Sequence, residues 1–259
     1  MINKELKTVI ISGGLGLLGR EFAKTLSRGY NVILLDTPNK VDSYYEGGET
    51  HYFYVVSCDI TDEKQVKEII EGIYDAYGIN LLINCAAYNE QPDENIDNSF
   101  ENYSLDRWKK TLDVNLTGSF LLSRECIQYM LKNKTEKDEF KGTIINVTSQ
   151  LGIVSPNQNI YPRKYKKPSA YSVSASGIIS LTRYLACYYG GIIKVNCLIP
   201  SMIENEQSVE FIQNPEKLIP MGRMSQKTEF NSAIKFLCSE ETSYMTGQVL
   251  ICDGGYTSW

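Results

Sequence analysis

Histidine is nearly absent: His51 is the one imidazole in 259 residues. A catalytic apparatus built on histidine is therefore not expected, and His51, at the start of a strand-like run, reads as structural. Paired cysteines are absent too. The seven cysteines form no C-x-x-C pair, so neither a zinc site nor a disulfide framework is indicated, and no metal is expected. Cys58, Cys197 and Cys252 fall in strand-like runs, which suits buried thiols in a reducing compartment. Long apolar runs are missing, and Met1-Ile2-Asn3-Lys4-Glu5 does not resemble a signal peptide. A cytoplasmic protein with no membrane partner is expected. Net positive charge is missing as well: the formal value is −5, which argues against a nucleic-acid partner. Repeats, low-complexity tracts and linker-like stretches do not occur.

What is present is the composition of an ordinary globule, 42% hydrophobic and 22% charged, long enough for one large core. Its opening stretch is the most informative. Thr8-Val9-Ile10-Ile11 reads as a buried strand, and Ser12-Gly13-Gly14-Leu15-Gly16-Leu17-Leu18-Gly19 follows at once. Leu18, Phe22 and Leu26 then mark a helix face, and Asn31-Val32-Ile33-Leu34-Leu35 a second strand ending in Asp36. Gly14, Gly16 and Gly19 fit G-x-G-x-x-G. In that pattern the first glycine permits a tight turn, the second lets backbone approach a pyrophosphate, and the third lets helix pack on strand. The helix N-terminus offers N–H groups to phosphates. Asp36 stands where a carboxylate accepts from adenosine ribose hydroxyls and repels a 2′-phosphate, so NAD(H) is the expected cofactor.

Strand-like and helix-like segments alternate over the rest of the chain. This predicts one α/β domain over 1–259, a Rossmann fold with a doubly wound parallel sheet of about seven strands. Residues 1–140 would form the dinucleotide-binding half and 141–259 the catalytic and substrate part. Residues 37–50 read as a loop, with room for a helical turn, and 88–103 as irregular. Thr61 reads as the cap of a following helix. One long helix is expected over about 104–132, another over 171–189, and a short one near 207–212.

From the fourth strand onward the chain resembles the short-chain dehydrogenase/reductase family, over nearly its whole length. The likeness rests on Cys58-Asp59-Ile60, Asn84-Cys85-Ala86-Ala87, Val114-Asn115-Leu116-Thr117-Gly118 and Ile145-Asn146-Val147-Thr148-Ser149. It continues with Ala170-Tyr171-Ser172-Val173-Ser174-Ala175, Val195-Asn196-Cys197-Leu198-Ile199-Pro200, Pro220-Met221-Gly222-Arg223 and Asp253-Gly254-Gly255. The resemblance implies an NAD(H)-dependent hydroxyl–carbonyl oxidoreductase. It assigns catalysis to Asn115, Ser149, Tyr171 and position 175. Cofactor contacts fall to Gly13, Gly14, Gly16, Leu17, Leu18, Gly19, Asp36, Asp59, Ile60, Asn84, Ala86, Ala87, Tyr171, Pro200 and Ile203. It also implies a homodimer or homotetramer, paired through the two long helices.

Three positions depart from the family's pattern. Leu17 stands at a glycine of the compact branch, with glycine at Gly16 instead. Ser201 follows Pro200 in place of glycine. Ala175 stands where the family has its lysine, whose charge brings the tyrosine's pKa down and grips the nicotinamide ribose. Three readings stay open: an enzyme that uses another cation, a silent NAD-binding pseudoenzyme acting as a partner or regulatory subunit, or a Lys→Ala variant of an active enzyme. Without a cation beside Tyr171, slow turnover is expected, with a large gain on Ala175→Lys. On the substrate side, Arg163, Lys164, Lys166 and Lys167 form a basic cluster before Tyr171. In an acidic chain this points to an anionic small molecule such as a sugar phosphate or nucleotide sugar. The loop and the Asp-Gly-Gly-Tyr-Thr-Ser-Trp ending look like the subset linked to flagellin modification and nonulosonate sugar synthesis.

Overall fold

The computed structural model describes residues 5–46, 53–90, 97, 99–135, 139–161, 165–205, 207 and 216–259. His51, Arg163, Lys164 and most of the helix expected near 207–212 lie outside them. Seven parallel strands form one sheet: β1 (Thr8–Ser12), β2 (Asn31–Asp36), β3 (Tyr54–Ser57), β4 (Leu81–Asn84), β5 (Gly142–Val147), β6 (Ile193–Pro200) and β7 (Val249–Cys252). Their spatial order is β3-β2-β1-β4-β5-β6-β7. The chain thus winds outward from β1 in one direction and then from β4 in the other. The switch falls between β1 and β4, where such sheets leave a crevice at the strands' C-terminal ends.

Why these strands read as continuous apolar runs is clear from β1. Val9 and Ile11 enter one core and Ile10 the other, because alternate side chains point to opposite faces and both faces are covered. The first face carries α1 (Leu17–Leu26) and α7 (Asn231–Cys238), with Phe22, Leu26, Phe230 and Ile234 buried. The second carries α3 (Glu63–Tyr77) and α5 (Ser119–Met130), through Val66, Ile70, Leu122 and Met130. With α6 (Ser169–Tyr188), which adds Leu185 and Ala186, this face is fully covered.

Several local expectations need correction. Residues expected to be a loop after Asp36 form α2 (Pro38–Glu46), started by a proline, whose fixed φ suits a first turn. Asp62, not Thr61, caps α3, accepting from the Lys64 and Gln65 N–H groups; a carboxylate also suits the positive end of the helix. The long helix expected from 104 begins as α4 (Leu105–Leu112) and continues through α5. Between them Asp113–Gly118 forms a π-helical turn that contains Asn115. Such a turn inside an α-helix re-aims side chains and often marks a functional position.

Candidate active site

A cleft of about 680 Å³ opens along the C-terminal ends of β1, β4, β5 and β6. Its first wall is the glycine turn. Gly13 has φ +64°, in the left-handed region, and a Cβ there would lie 2.7 Å from the Ala86 Cα. The tight turn therefore belongs to Gly13 rather than to Gly14, whose added Cβ would meet the Leu34 Cβ at 2.6 Å. At Gly19 a Cβ would stand 2.2 Å from the Gly13 carbonyl oxygen, so helix and turn pack backbone to backbone. No side chain caps α1 at Gly16. Gly16, Leu17, Leu18 and Gly19 all line the cleft, so the helix presents there N–H groups that have no intrahelical partner.

Asp36 supports this wall from behind. Its carboxylate accepts the Leu15 N–H at 2.9 Å and the Thr37 N–H at 2.9 Å, and the side chain is almost fully buried. Lys40 Nζ stands 3.7 Å from Asp36 and lines the cleft in its place. The expected open ribose acceptor is thus first a fastening for the glycine loop. Four other expected cofactor residues also lie away from the cleft lining, the first being Gly14, which faces Leu34. Asn84 is buried and donates to Asn146 Oδ1 at 2.8 Å and Ser123 Oγ at 3.0 Å, tying sheet to helix. Ile60 fills the space beside Gly118. Asp59 is exposed and closes a turn through the Thr61 N–H. Ala86, Ala87, Pro200 and Ile203 do line the cleft.

The second wall holds Asn115, Ser149, Tyr171 and Ala175, which converge on the cleft from the π turn, the end of β5 and the start of α6. The Asn115 amide is locked: its Oδ1 accepts the Tyr88 N–H at 2.6 Å, and its Nδ2 donates to the Tyr88 carbonyl at 3.1 Å and to Ser174 Oγ at 3.2 Å. It therefore pins the β4 exit loop to the helix that carries Tyr171. Burial pushes the Tyr171 phenol above its ordinary value of 10.0, while a hydrogen bond with the Ser149 hydroxyl acts in the opposite sense. Ala175 is buried one turn further along α6.

The two described lysines of the basic cluster face different ways. Lys166 is exposed, whereas Lys167 is 8% exposed and turned into the cleft. Its ammonium lies over the Tyr171 ring, 4.1 Å from the centroid, and donates to Asn89 Oδ1. Burial lowers its pKa to about 8, with the Glu90 charge acting against that. The expectation of a Tyr171 without a neighbouring cation is therefore corrected. Sequence reading missed Lys40, Asn89 and Glu90 in stretches taken as irregular. It counted Lys167 only as one of a run, because Pro168 caps α6 with extended backbone and breaks any helical spacing to Tyr171.

The family profile described as enoyl-(acyl carrier protein) reductase matches residues 17–257. A short-chain dehydrogenase from Leptospira borgpetersenii, solved with bound NAD+, is 34% identical with a TM-score of 0.82; the match covers 99% of this chain and 97% of that one. The 2,5-dichloro-2,5-cyclohexadiene-1,4-diol dehydrogenase of Sphingobium indicum is 29% identical over 267 residues, covering 97% of each chain. Glucose 1-dehydrogenase 2 of Bacillus subtilis is 27% identical over 266 residues, covering 97% of this chain and 95% of its own. The chain belongs to the short-chain dehydrogenase/reductase family of oxidoreductase enzymes.

Proposed function

We propose that this enzyme interconverts a hydroxyl and a carbonyl on a small polyhydroxylated molecule, with NAD(H) as the hydride carrier. The observation that carries the reading is one continuous cleft with an uncapped helix N-terminus at one end and the Tyr171–Ser149 pair at the other. The glycine turn fits a dinucleotide: it leaves backbone where side chains would block a pyrophosphate, and α1 offers it N–H donors. In this reading the first half of the chain holds the dinucleotide and the second half the substrate. A bound nicotinamide supplies the hydride acceptor or donor.

This chain's own residues manage the proton. In the oxidation direction the substrate hydroxyl would give its proton to the Tyr171 oxygen as the carbonyl forms, with a bound nicotinamide as the group that would accept the hydride. Ser149 donates to the reacting oxygen, and Asn115 positions α6. The substrate end is lined by Asn89, Gln150 and Gln207, with Glu90 held by Arg107 at 2.6 Å. Neutral amides of this kind recognise hydroxyls, as in sugars, cyclic diols or the nonulosonate class. Among the described residues of the basic cluster only Lys167 reaches this space, so the recognition we propose is of hydroxyls rather than of a phosphate. The relatives named for glucose and for a cyclic diol support the same substrate type.

Two tests follow. The chain should reduce NAD+ with at least one member of a panel of aldoses and cyclic diols, and bind NAD(H) in preference to NADP(H). Asp36→Ala should narrow that preference, since it removes the carboxylate nearest the ribose end, and should weaken both cofactors by loosening Leu15. Equal or tighter NADP(H) binding by the unmodified chain, or no turnover across the panel, contradicts the reading. For assembly we propose a dimer or tetramer. Val173, Tyr184 and Tyr188 on α6 are 46%, 63% and 67% exposed, and Leu105 and Phe120 at 62% and 43% extend the apolar surface. Light scattering at micromolar concentration should exceed the monomer mass of 29.3 kDa, and a monomer would refute it.

A further inference from the structure

A buried phenol is a poor base. The surroundings of Tyr171 raise its pKa, and the residue one helical turn on, Ala175, brings no charge to oppose this. Any proton abstraction at neutral pH therefore needs a cation from elsewhere. Among the described residues lining the cleft, the cations are Lys40 and Lys167. Lys40 belongs to the glycine-loop end, beside Asp36. Arg107, near the rim, is joined to Glu90. Lys167 alone of these lies against Tyr171, at 4.1 Å from the ring centroid.

The position of Lys167 is built rather than incidental. Gln158 holds its backbone from both sides: Oε1 accepts the Lys167 N–H at 2.8 Å, and Nε2 donates to the Lys167 carbonyl at 3.2 Å. Asn89 takes one ammonium N–H. Tyr165, two residues earlier, donates its hydroxyl to the Glu90 carbonyl at 3.1 Å, so the 165–167 segment is fastened to the β4 exit loop at two points. A long, buried, charged side chain held this firmly costs conformational freedom and solvation, and structure alone does not require it here.

We propose that Lys167, from the turn before α6, supplies the positive charge that lets Tyr171 act as a phenolate base, replacing the charge that position 175 does not carry. This rests on the oxidoreductase reading above and names the group that makes it work in this chain. The groups facing the ammonium are Tyr171 from α6 and the Glu90 carboxylate and Asn89 from the β4 exit loop, with Tyr165 close to Glu90 and Tyr171. Tyr161, whose ring packs 5.5 Å from Tyr165, completes the surroundings. Glu90 keeps the ammonium charged, and its own charge is offset by Arg107. Burial draws the two values apart, Lys167 down to about 8 and Tyr171 up, so ammonium with phenolate is the minor form of the pair once one proton has left. When the pair loses one proton near pH 8, amine with phenol and ammonium with phenolate are the same protonation level. The second form takes the substrate hydroxyl proton, and Lys167 keeps its own proton while the substrate's hydride leaves for the nicotinamide.

The test has one kinetic and one spectroscopic arm. The rate of NAD+ reduction with the panel substrate, followed against pH, should rise along a limb near pH 8. Lys167→Met should lower kcat/KM at neutral pH by roughly 10- to 1000-fold, the range that one opposite charge moves a pKa, and should push the limb above pH 10. Lys167→Arg should retain most of the rate, and Lys167→Met combined with Ala175→Lys should regain it. NADH binding measured by fluorescence should persist in all of them, which separates this effect from unfolding. In protein carrying ζ-13C-tyrosine, the Tyr171 resonance, assigned by its loss in Tyr171→Phe, should reach the phenolate shift at a lower pH in the unmodified chain than in Lys167→Met. If the unmodified chain turns over nothing in the panel, the oxidoreductase reading falls, and the carbon resonance still decides the pairing. An unchanged pH limb or an unchanged Tyr171 resonance in Lys167→Met overturns the proposal.

Discussion

Tyr171→Phe should lower kcat/KM by roughly 10²- to 10⁴-fold, the usual worth of a positioned acid–base group. NADH affinity should stay within a few-fold. The substitution removes one oxygen and little else. The ring stays, so the face over which Lys167 Nζ lies remains occupied and the start of α6 keeps its packing. Ser149 keeps the bond its Oγ accepts from the Leu151 N–H, so the end of β5 does not collapse. Stability should change little, because the ring keeps its packing and the hydroxyl gives up only its hydrogen bond with Ser149. Thermal melts alongside the kinetics check this separation. A Tyr171→Phe chain with near-parental turnover would place the proton on another group.

Gly19→Ala should have the second-largest effect, on binding and stability together. The new Cβ would lie 2.2 Å from the Gly13 oxygen and 2.8 Å from the Gly14 Cα. Both are backbone atoms with nowhere to go. Gly13 is wedged against Ala86, just past the end of β4, and Gly14 against Leu34 on β2. The helix must therefore move away from the turn, which costs about 1–3 kcal/mol by analogy with overpacked cores. The donors at its N-terminus shift with it. Dinucleotide affinity should fall by an order of magnitude or more in a titration, with a lower melting temperature. By contrast, Gly16→Ala meets only the Gly13 oxygen, at 3.1 Å, and should be milder in stability. Equal effects at the two positions would contradict this account of the turn.

How far the sequence could be read depended on the range of the interactions involved. β1, α1 and β2 were legible because a buried parallel strand must be apolar at every position and a covering helix must carry a stripe. The seven parallel strands followed from the same rule repeated. Helix α2 was not legible, since only Val41 and Tyr44 are buried in it and its sequence is otherwise polar. The turn was legible as a turn, but which glycine makes it was not. That depends on Ala86 and Leu34, residues distant in sequence. Asn115, Ser149 and Tyr171 were found by resemblance and do converge on one cleft. Lys167 escaped because its meeting with Tyr171 comes from an extended Pro168 and the Gln158 clamp, neither of which leaves a periodic signature. A run of cations looks alike whether it faces solvent or a phenol.

The central claim is that the chain is an NAD(H)-dependent enzyme as it stands, with alanine at position 175. The most direct measurement is the initial rate of NADH formation at neutral pH by the unmodified chain, side by side with Ala175→Lys, on the same aldose and cyclic-diol panel. The account predicts turnover by the unmodified chain, changed by less than about tenfold when lysine is added, because Lys167 already provides one charge. An inert unmodified chain that Ala175→Lys switches on would contradict it.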